Sequence, residues 1–123
     1  MKAVVLVGIG GFIGSAARYL TTLFINRVYP PPFPLGTFVV NVLGCLLIGI
    51  FFGMSERFHW MSGDWRLFLT SGLCGGFTTF SAFAYENVRL LQTSNVMTFA
   101  AYTTASIVLC LIATFAGIAL SKL

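Results

Sequence analysis

The chain has 123 residues, of which 58% are hydrophobic and only 8% are charged. A soluble domain of this length needs far more charge to cover its surface, so the composition indicates an integral membrane protein with one compact domain over residues 1–123. The net charge of +4 is spread along the sequence without a basic run, which excludes a nucleic-acid-binding surface.

Four apolar runs are each long enough to cross a membrane as a helix of roughly 20 residues. A proline-rich turn at residues 30–34 separates the first two runs. The polar connector "ERFHWMSGDW" precedes the third run and places Trp60 and Trp65 like the aromatic belt at a membrane surface. The turn "QTSN" precedes the fourth run. The expected spans are residues 3–25, 35–55, 66–91 and 96–120.

Glycine pairs in the first two runs predict close helix packing. Gly10 and Gly14, like Gly49 and Gly53, have the small-xxx-small spacing that lets two helix backbones approach each other. The first run has some features of a signal peptide, but its glycine pair favours a span that remains in the mature protein.

Four spans place both termini on the same side of the membrane, and the basic residues barely favour either side. Four of them fall on the terminal side: Lys2, Arg57, Arg66 and Lys122. Three fall on or near the other side: Arg18, Arg27 and Arg89. Either one strong charge decides the orientation, or the chain inserts in both orientations and forms antiparallel dimers.

Each of two polar residues in the first two spans can have one of two structural roles. Arg18 lies about 10 Å from the end of the first span, so it either snorkels to the surface or attracts an anion to a vestibule. Asn41 lies deeper, and an asparagine in hydrocarbon needs partners. It either makes a hydrogen bond between helices or presents its amide to a water-filled path.

The fourth span has a stripe of small or polar residues at i, i+4 spacing. Tyr102, Ser106, Cys110 and Thr114 therefore lie on one helix face, which favours a polar track or a close interface. Serine and threonine also bond back to their own helix. Glu86, near the end of the third span, is expected to be a solvated carboxylate at the membrane surface.

The third span contains "GLCGGFTTFSAF", where Gly75 and Gly76 predict an interruption of the helix near residues 75–79. Backbone carbonyls freed at membrane depth suit a hard cation, and the half-helix that begins near Thr79 directs its amides toward the break. Aromatic ring edges are partially positive, so Phe80 and Phe83 suit a small anion, although packing alone also explains them. Further groups that suit an anion are Asn41, Ser81 and Arg18.

The segments "GGFIGSAARY" (10–19), "GTFVVNVLG" (36–44) and "GLCGGFTTFSAF" (72–83) strongly resemble the bacterial fluoride channels of the Fluc family. The resemblance covers all four spans in order. It implies an all-α membrane protein that forms an antiparallel, dual-topology homodimer with two fluoride pores. It also implies passive fluoride export across the bacterial inner membrane and a structural sodium ion that is not transported.

The resemblance also implies roles for individual residues. Phe80, Phe83 and Asn41 match pore residues, and the main-chain oxygens of Gly75 and Thr78 match the sodium ligands. The remaining matches are Arg18 near the pore entrance, Glu86 as the acidic residue of the third span, and Tyr102 and Ser106 at the start of the polar track. Cys110 and Ala82 depart from the family, because hydroxyls often occupy these positions.

Three other functions are weighed against a fluoride channel. An enzyme is not expected, because the sequence has no nucleophile–base pair or metal cluster and its three cysteines lie inside apolar runs. Small four-span multidrug-type transporters resemble one another in a glutamate in the first span, and here that span has no acidic residue. A non-conducting interaction subunit would explain the glycine pairs but not the interrupted third span.

Overall fold

The computed structural model describes residues 1–30, 32–61 and 63–123. Pro31 of the expected turn and Ser62 of the expected connector lie outside the described residues. The regular elements in the described part of the chain are helices. They are α1 (Lys2–Val28), α2 (Leu35–Arg57), a 3-10 turn (His59–Met61), α3 (the contiguous segments Asp64–Arg66, Leu67–Cys74 and Gly75–Phe77), α4 (Phe80–Gln92) and α5 (Val96–Ser121).

Four stretches are long and apolar enough to cross a membrane, which confirms the expected number of apolar spans. They are Lys2–Val28, Leu35–Arg57, Asp64–Gln92 and Val96–Ser121. Each stretch extends a few residues beyond the expected span, because polar residues such as Lys2, Arg27 and Arg57 continue the helices at their ends. Long basic side chains are tolerated there because they reach water from the last helical turn.

Close packing at glycine joins the helices in pairs, as the sequence predicts. A Cβ added at Gly14 in α1 would overlap the carbonyl oxygen of Leu73 in α3. A Cβ added at Gly49 in α2 would likewise overlap the carbonyl oxygen of Thr114 in α5. Small residues at both contacts let the backbones touch, and dispersion between closely packed backbones stabilises helix pairs in lipid.

Most of α3 is π-helical, with i→i+5 hydrogen bonds over Leu67–Cys74. Thr70, Gly72 and Cys74 are the buried residues of this segment. Gly72 then lies against Gly10, because a Cβ on Gly72 would come 3.0 Å from the Gly10 Cα. π-helical segments are rare and occur often at functional sites. No pattern in the amino-acid sequence predicts this π-helical segment.

Polar contacts hold both termini at one end of the helix bundle. Lys2 Nζ lies 2.7 Å from Asp64 Oδ2, which joins the starts of α1 and α3. Arg57 Nη1 donates to the Ser121 carbonyl at 2.9 Å, which joins the ends of α2 and α5. The rings of Trp60 and Trp65 meet edge to face at 6.5 Å at the same end. This placement suits the expected aromatic belt at a membrane surface.

Candidate functional site

The region that connects α3 to α4 has extended backbone at two residues. Thr78 has φ −85° and ψ 158°, and Thr79 has φ −151° and ψ 118°. Gly75 and Gly76 are themselves helical, contrary to the expectation that this pair interrupts the helix. Their lack of a side chain serves close packing instead, because a Cβ on Gly76 would come 2.6 Å from the Gly11 carbonyl oxygen in α1.

Asn41 in α2 binds the peptide groups of Thr79 with both ends of its amide. The Thr79 N–H donates to Asn41 Oδ1 at 2.8 Å, and Asn41 Nδ2 donates to the Thr79 carbonyl at 3.1 Å. An extended peptide at this depth needs such partners, because an unsatisfied buried polar group costs about 1–3 kcal/mol. The expected hydrogen bond between helices is therefore confirmed for Asn41. Nδ2 carries a second N–H, and Asn41 also lines the cavity described below.

The start of α4 is capped by Thr79 itself. Its Oγ1 accepts the Ala82 N–H at 3.1 Å and lies 3.2 Å from the Ser81 hydroxyl, which is exposed. Threonine is a favoured residue at this position because its oxygen satisfies one of the free amides of the first turn.

These contacts divert the usual donors from two carbonyls. In a continuous α-helix, the Gly75 carbonyl accepts the Thr79 N–H and the Thr78 carbonyl accepts the Ala82 N–H. Here the Thr79 N–H donates to Asn41 and the Ala82 N–H donates to the Thr79 side chain. The carbonyls of Gly75 and Thr78 are therefore two oxygens whose usual helical donors are engaged elsewhere.

Arg18 in α1 contacts the end of α3. Its Nε donates to the Gly76 carbonyl at 3.1 Å, and the Ser15 hydroxyl lies 3.5 Å from the same oxygen. A cation stabilises the carbonyl end of a helix, where the partial charge is negative. The side chain is partly buried and its Nε is engaged with this carbonyl, so Arg18 makes a contact within the helix bundle.

A cavity of about 300 Å³ lies beside the connection between α3 and α4. The Phe80 and Phe83 rings are 5.6 Å apart and tilted by 44°. Phe83 is buried, whereas Phe80 is 78% exposed. The cavity is lined by Asn41, Gly44, Cys45, Ile48, Thr78, Thr79, Phe80, Phe83, Ser106, Ile107 and Cys110.

The hydroxyl groups on the polar face of α5 differ in whether they already have a hydrogen-bond partner. Tyr102 is fully buried and donates to Glu86 Oε1 at 2.9 Å, and Thr114 bonds back to the Cys110 carbonyl at 3.0 Å. The buried Ser106 hydroxyl has no partner among the described residues, and it lines the cavity together with Cys110. Of the stripe's hydroxyls, Ser106 is thus the one that remains free to bind something in the cavity.

Glu86 is half-buried and both of its carboxylate oxygens accept hydrogen bonds from hydroxyls, so it is not the fully solvated carboxylate that was expected. Thr37 Oγ1 donates to its Oε2 at 2.7 Å, and Tyr102 donates to its other oxygen. Two hydroxyl donors compensate part of the cost of taking a carboxylate out of water. The Phe83 and Tyr102 rings are 5.1 Å apart, so the cavity wall is directly joined to this carboxylate.

A second cavity of about 420 Å³ lies on the other side of Glu86. Its lining is Asn26, Pro32, Phe33, Pro34, Glu86, Arg89, Leu90, Thr93 and Asn95. Phe83, Tyr102 and Glu86 form the wall between the two cavities.

Thr37 and Cys45 belong to no motif that marks them as site residues. Their spacing from Asn41 is the sequence feature that indicates them, because residues four apart lie on the same helix face. Thr37 lies four residues before Asn41, and Cys45 lies four residues after it.

Comparison with known proteins gives consistent matches over nearly the whole chain. A family model described as CrcB-like protein, Camphor Resistance (CrcB), matches residues 5–118. A protein of Flavobacterium psychrophilum is 47% identical over 122 residues, which cover 99% of this chain and 98% of the relative. One from Phocaeicola vulgatus is 46% identical over 99% of this chain and 100% of the relative. One from Bacteroides fragilis is 48% identical over 95% and 94%. All three relatives are named fluoride-specific ion channel FluC.

Proposed function

The chain belongs to the CrcB-like family, and from that premise we propose that it is a fluoride-specific ion channel. It lets fluoride leave the cell passively and so lowers the toxic concentration in the cytoplasm. The observation that carries the proposal is the Phe80–Phe83 ring pair in the wall of a cavity that also holds Asn41 and the free Ser106 hydroxyl.

The chemistry of this cavity suits a small, strongly hydrated anion. Ring edges, the second Asn41 N–H and the Ser106 hydroxyl are all weak donors, and none carries a full charge. Several weak donors in sequence replace the water around fluoride without binding it so tightly that it cannot leave. Ser81 lies at the exposed mouth of this group, and Arg18 contributes positive charge at the end of α3.

The path proposed for fluoride continues past the wall between the two cavities. The hydroxyls of Tyr102 and Thr37 both donate hydrogen bonds to the Glu86 carboxylate. An anion that passes there therefore competes with this carboxylate for the two hydroxyls. The negative charge of Glu86 opposes an anion, and shared hydroxyl donors lower that barrier.

The functional unit that we propose is an antiparallel homodimer in the bacterial inner membrane. Phe80 is 78% exposed on the single chain although its ring belongs to the proposed path. A second copy that covers this surface would enclose the ring, and each of two pores would then take rings from both subunits. The nearly even distribution of basic residues supports insertion in both orientations.

A structural sodium ion fits the carbonyls at the connection between α3 and α4. Gly75 and Thr78 each offer a main-chain oxygen whose usual helical donor is engaged elsewhere. Two such oxygens from each of two subunits give about four ligands, and neutral oxygens are the donors that hard cations prefer. A bound +1 charge would lower the cost of bringing an anion nearby in low dielectric.

A small multidrug-type transporter is the alternative function, and the first span argues against it. That span contains no acidic residue, and its one embedded charge is a cation bound to the Gly76 carbonyl. A site for cationic drugs at membrane depth requires negative charge.

Fluoride release from liposomes tests the proposed function. The purified chain is reconstituted with internal fluoride, and external fluoride is followed with a selective electrode while an ionophore carries the compensating cation. We expect rapid release that needs no proton gradient. Release no faster than from protein-free liposomes would reject the proposal, and proton-coupled uptake of a cationic dye would favour the transporter.

A further inference from the structure

Two cysteines line one cavity from two helices that pack on each other. Cys45 in α2 and Cys110 in α5 both line the 300 Å³ cavity. Neither thiol has a role in the proposed fluoride path, and a hydroxyl is expected at the position of Cys110. The third cysteine, Cys74, is 1% exposed and belongs to α3.

Backbone packing brings the two thiols to a similar height. The helices run parallel, because Gly49 in α2 touches Thr114 in α5 and Gly53 touches Ser121. Cys45 and Cys110 each lie four residues, or one helical turn, before Gly49 and Thr114. Because glycine brings the backbones into contact there, the residues one turn away belong to closely spaced backbones.

We propose that Cys45 and Cys110 form a binding site for a divalent thiophilic cation that takes two ligands, such as Hg²⁺, and that the bound ion blocks the fluoride path. Each thiol loses its proton to water and forms one sulfur–metal bond. Two protons leave and one divalent cation enters, so the net charge of the site is zero before and after binding.

Charge and ligand number select this class of cation. A monovalent thiophilic ion such as Ag⁺ would leave a net charge of −1 in an apolar cavity, which is costly without a counter-ion. Zn²⁺ prefers four ligands in a tetrahedron. The described residues contain no group of three or more His, Cys, Asp or Glu side chains that could hold a metal.

Binding at this pair acts on the proposed fluoride path, so the blocking effect rests on the proposed function. A metal bridge ties α2 to α5 one turn from Asn41, the residue that holds the Thr79 peptide. It also places a large ion in the lining of the cavity that holds the Phe80–Phe83 pair. Both effects narrow the cavity through which fluoride is proposed to pass.

Metal binding is measured first, without reference to flux. Mercury(II) acetate is titrated into the full-length protein in detergent, and the ultraviolet sulfur-to-metal charge-transfer absorption reports dithiolate binding. We expect one ion per chain in the wild type and in the control Cys74→Ala. Cys45→Ala and Cys110→Ala should each weaken binding by about a hundredfold, because the second bond is no longer intramolecular. Unchanged binding in either variant, or loss of binding in Cys74→Ala, would overturn the site.

Fluoride release is then compared with and without the metal, each variant being normalised to its own metal-free rate. In the wild type and Cys74→Ala we expect a fall of about tenfold, the change that ~1.4 kcal/mol in the barrier produces. In Cys45→Ala and Cys110→Ala the metal should change the rate little. Dithiolate binding with undiminished release would overturn the block. A wild type that binds the metal but never releases fluoride would instead reject the proposed function and leave the metal site standing.

Discussion

At the scale of single residues, the site depends on which donors are free and which are committed. Asn41 spends one N–H and its carbonyl on the Thr79 peptide, and Tyr102 spends its hydroxyl on Glu86. The Ser106 hydroxyl has no hydrogen-bond partner among the described residues, so it is free to bind an anion. The edges of the two phenylalanine rings form no hydrogen bonds and are also free to face an anion. The proposed selectivity for a small anion therefore rests on neutral groups rather than on Arg18, whose Nε is bound to a carbonyl.

The ring pair gives the prediction for this scale. Phe80→Ile and Phe83→Ile keep apolar bulk but remove the positive ring edge. Each substitution should therefore reduce the rate of fluoride release about tenfold, which corresponds to a barrier higher by ~1.4 kcal/mol. Phe115→Ile is the matched control, because Phe115 is 77% exposed and lies outside the cavity lining. Release from liposomes that contain folded variant protein measures the effect. Near-normal release in both ring variants would assign the rings to packing alone.

At the scale of helices, backbone contact at glycine determines where the functional groups lie. α1 packs on α3 through Gly10 and Gly14, and α2 packs on α5 through Gly49 and Gly117. The contact of α1 with α3 brings Arg18 to the end of α3, and Gly44 in α2, which lies against the Thr78 side chain, places Asn41 opposite Thr79. The positions of polar groups at membrane depth thus follow from small residues elsewhere on the same helices.

A pair of glycine substitutions in α1 tests this dependence. Gly14→Ala should destabilise the protein by about 1–3 kcal/mol, because the new methyl group meets backbone that cannot rotate away. Gly8→Ala is the matched control, since no atom lies within 4 Å of a Cβ built there. Thermal unfolding in detergent compares the two variants. Equal stability of both would show that α1 and α3 are not in such close contact.

The connection between α3 and α4 yields a prediction about sodium. If the Gly75 and Thr78 carbonyls hold a sodium ion, replacing sodium on both membrane faces with a large organic cation should abolish fluoride release. Thr78→Val should be tolerated better, because the proposed ligand is the main-chain oxygen and not the side chain. Full release after exhaustive replacement of sodium would remove the support for this ion.

The helices could be predicted from the sequence, whereas the partners of the polar residues could not. Apolar length predicts the four spans, and glycine spacing predicts their close contacts, because both are local properties. The extended backbone lies at Thr78 and Thr79 because Asn41, 38 residues away, binds the Thr79 peptide. Glu86 is half-buried in the bundle, where Thr37, 49 residues away, and Tyr102 supply donors to its carboxylate. Such contacts arise only when the helices pack.

At the scale of the whole molecule, the chain has far more apolar surface than its own core uses. Large side chains such as Phe12, Phe80 and Phe115 are each more than 70% exposed, with values of 76%, 78% and 77%. In a membrane this surface meets lipid or another protein. A second copy in the opposite orientation is the partner that we propose for the part that includes Phe80.

The orientation of the chain can be measured directly. A cysteine added after Leu123 should react with an impermeant reagent from both faces of the membrane to a similar extent, because the basic residues do not favour one side. The matched control lacks the added residue and reports labelling of the three native cysteines. Reaction from one face only would contradict the antiparallel dimer.

The central claim, that the chain conducts fluoride passively and selectively, is tested most directly by the reversal potential of its current in a planar bilayer. Fluoride is set at a tenfold gradient, chloride is equal on both sides and no pH gradient is applied. We predict a current that reverses at the fluoride equilibrium potential, about 59 mV in magnitude for a singly charged ion. A reversal potential near zero, or no current above that of the bare bilayer, would contradict the account.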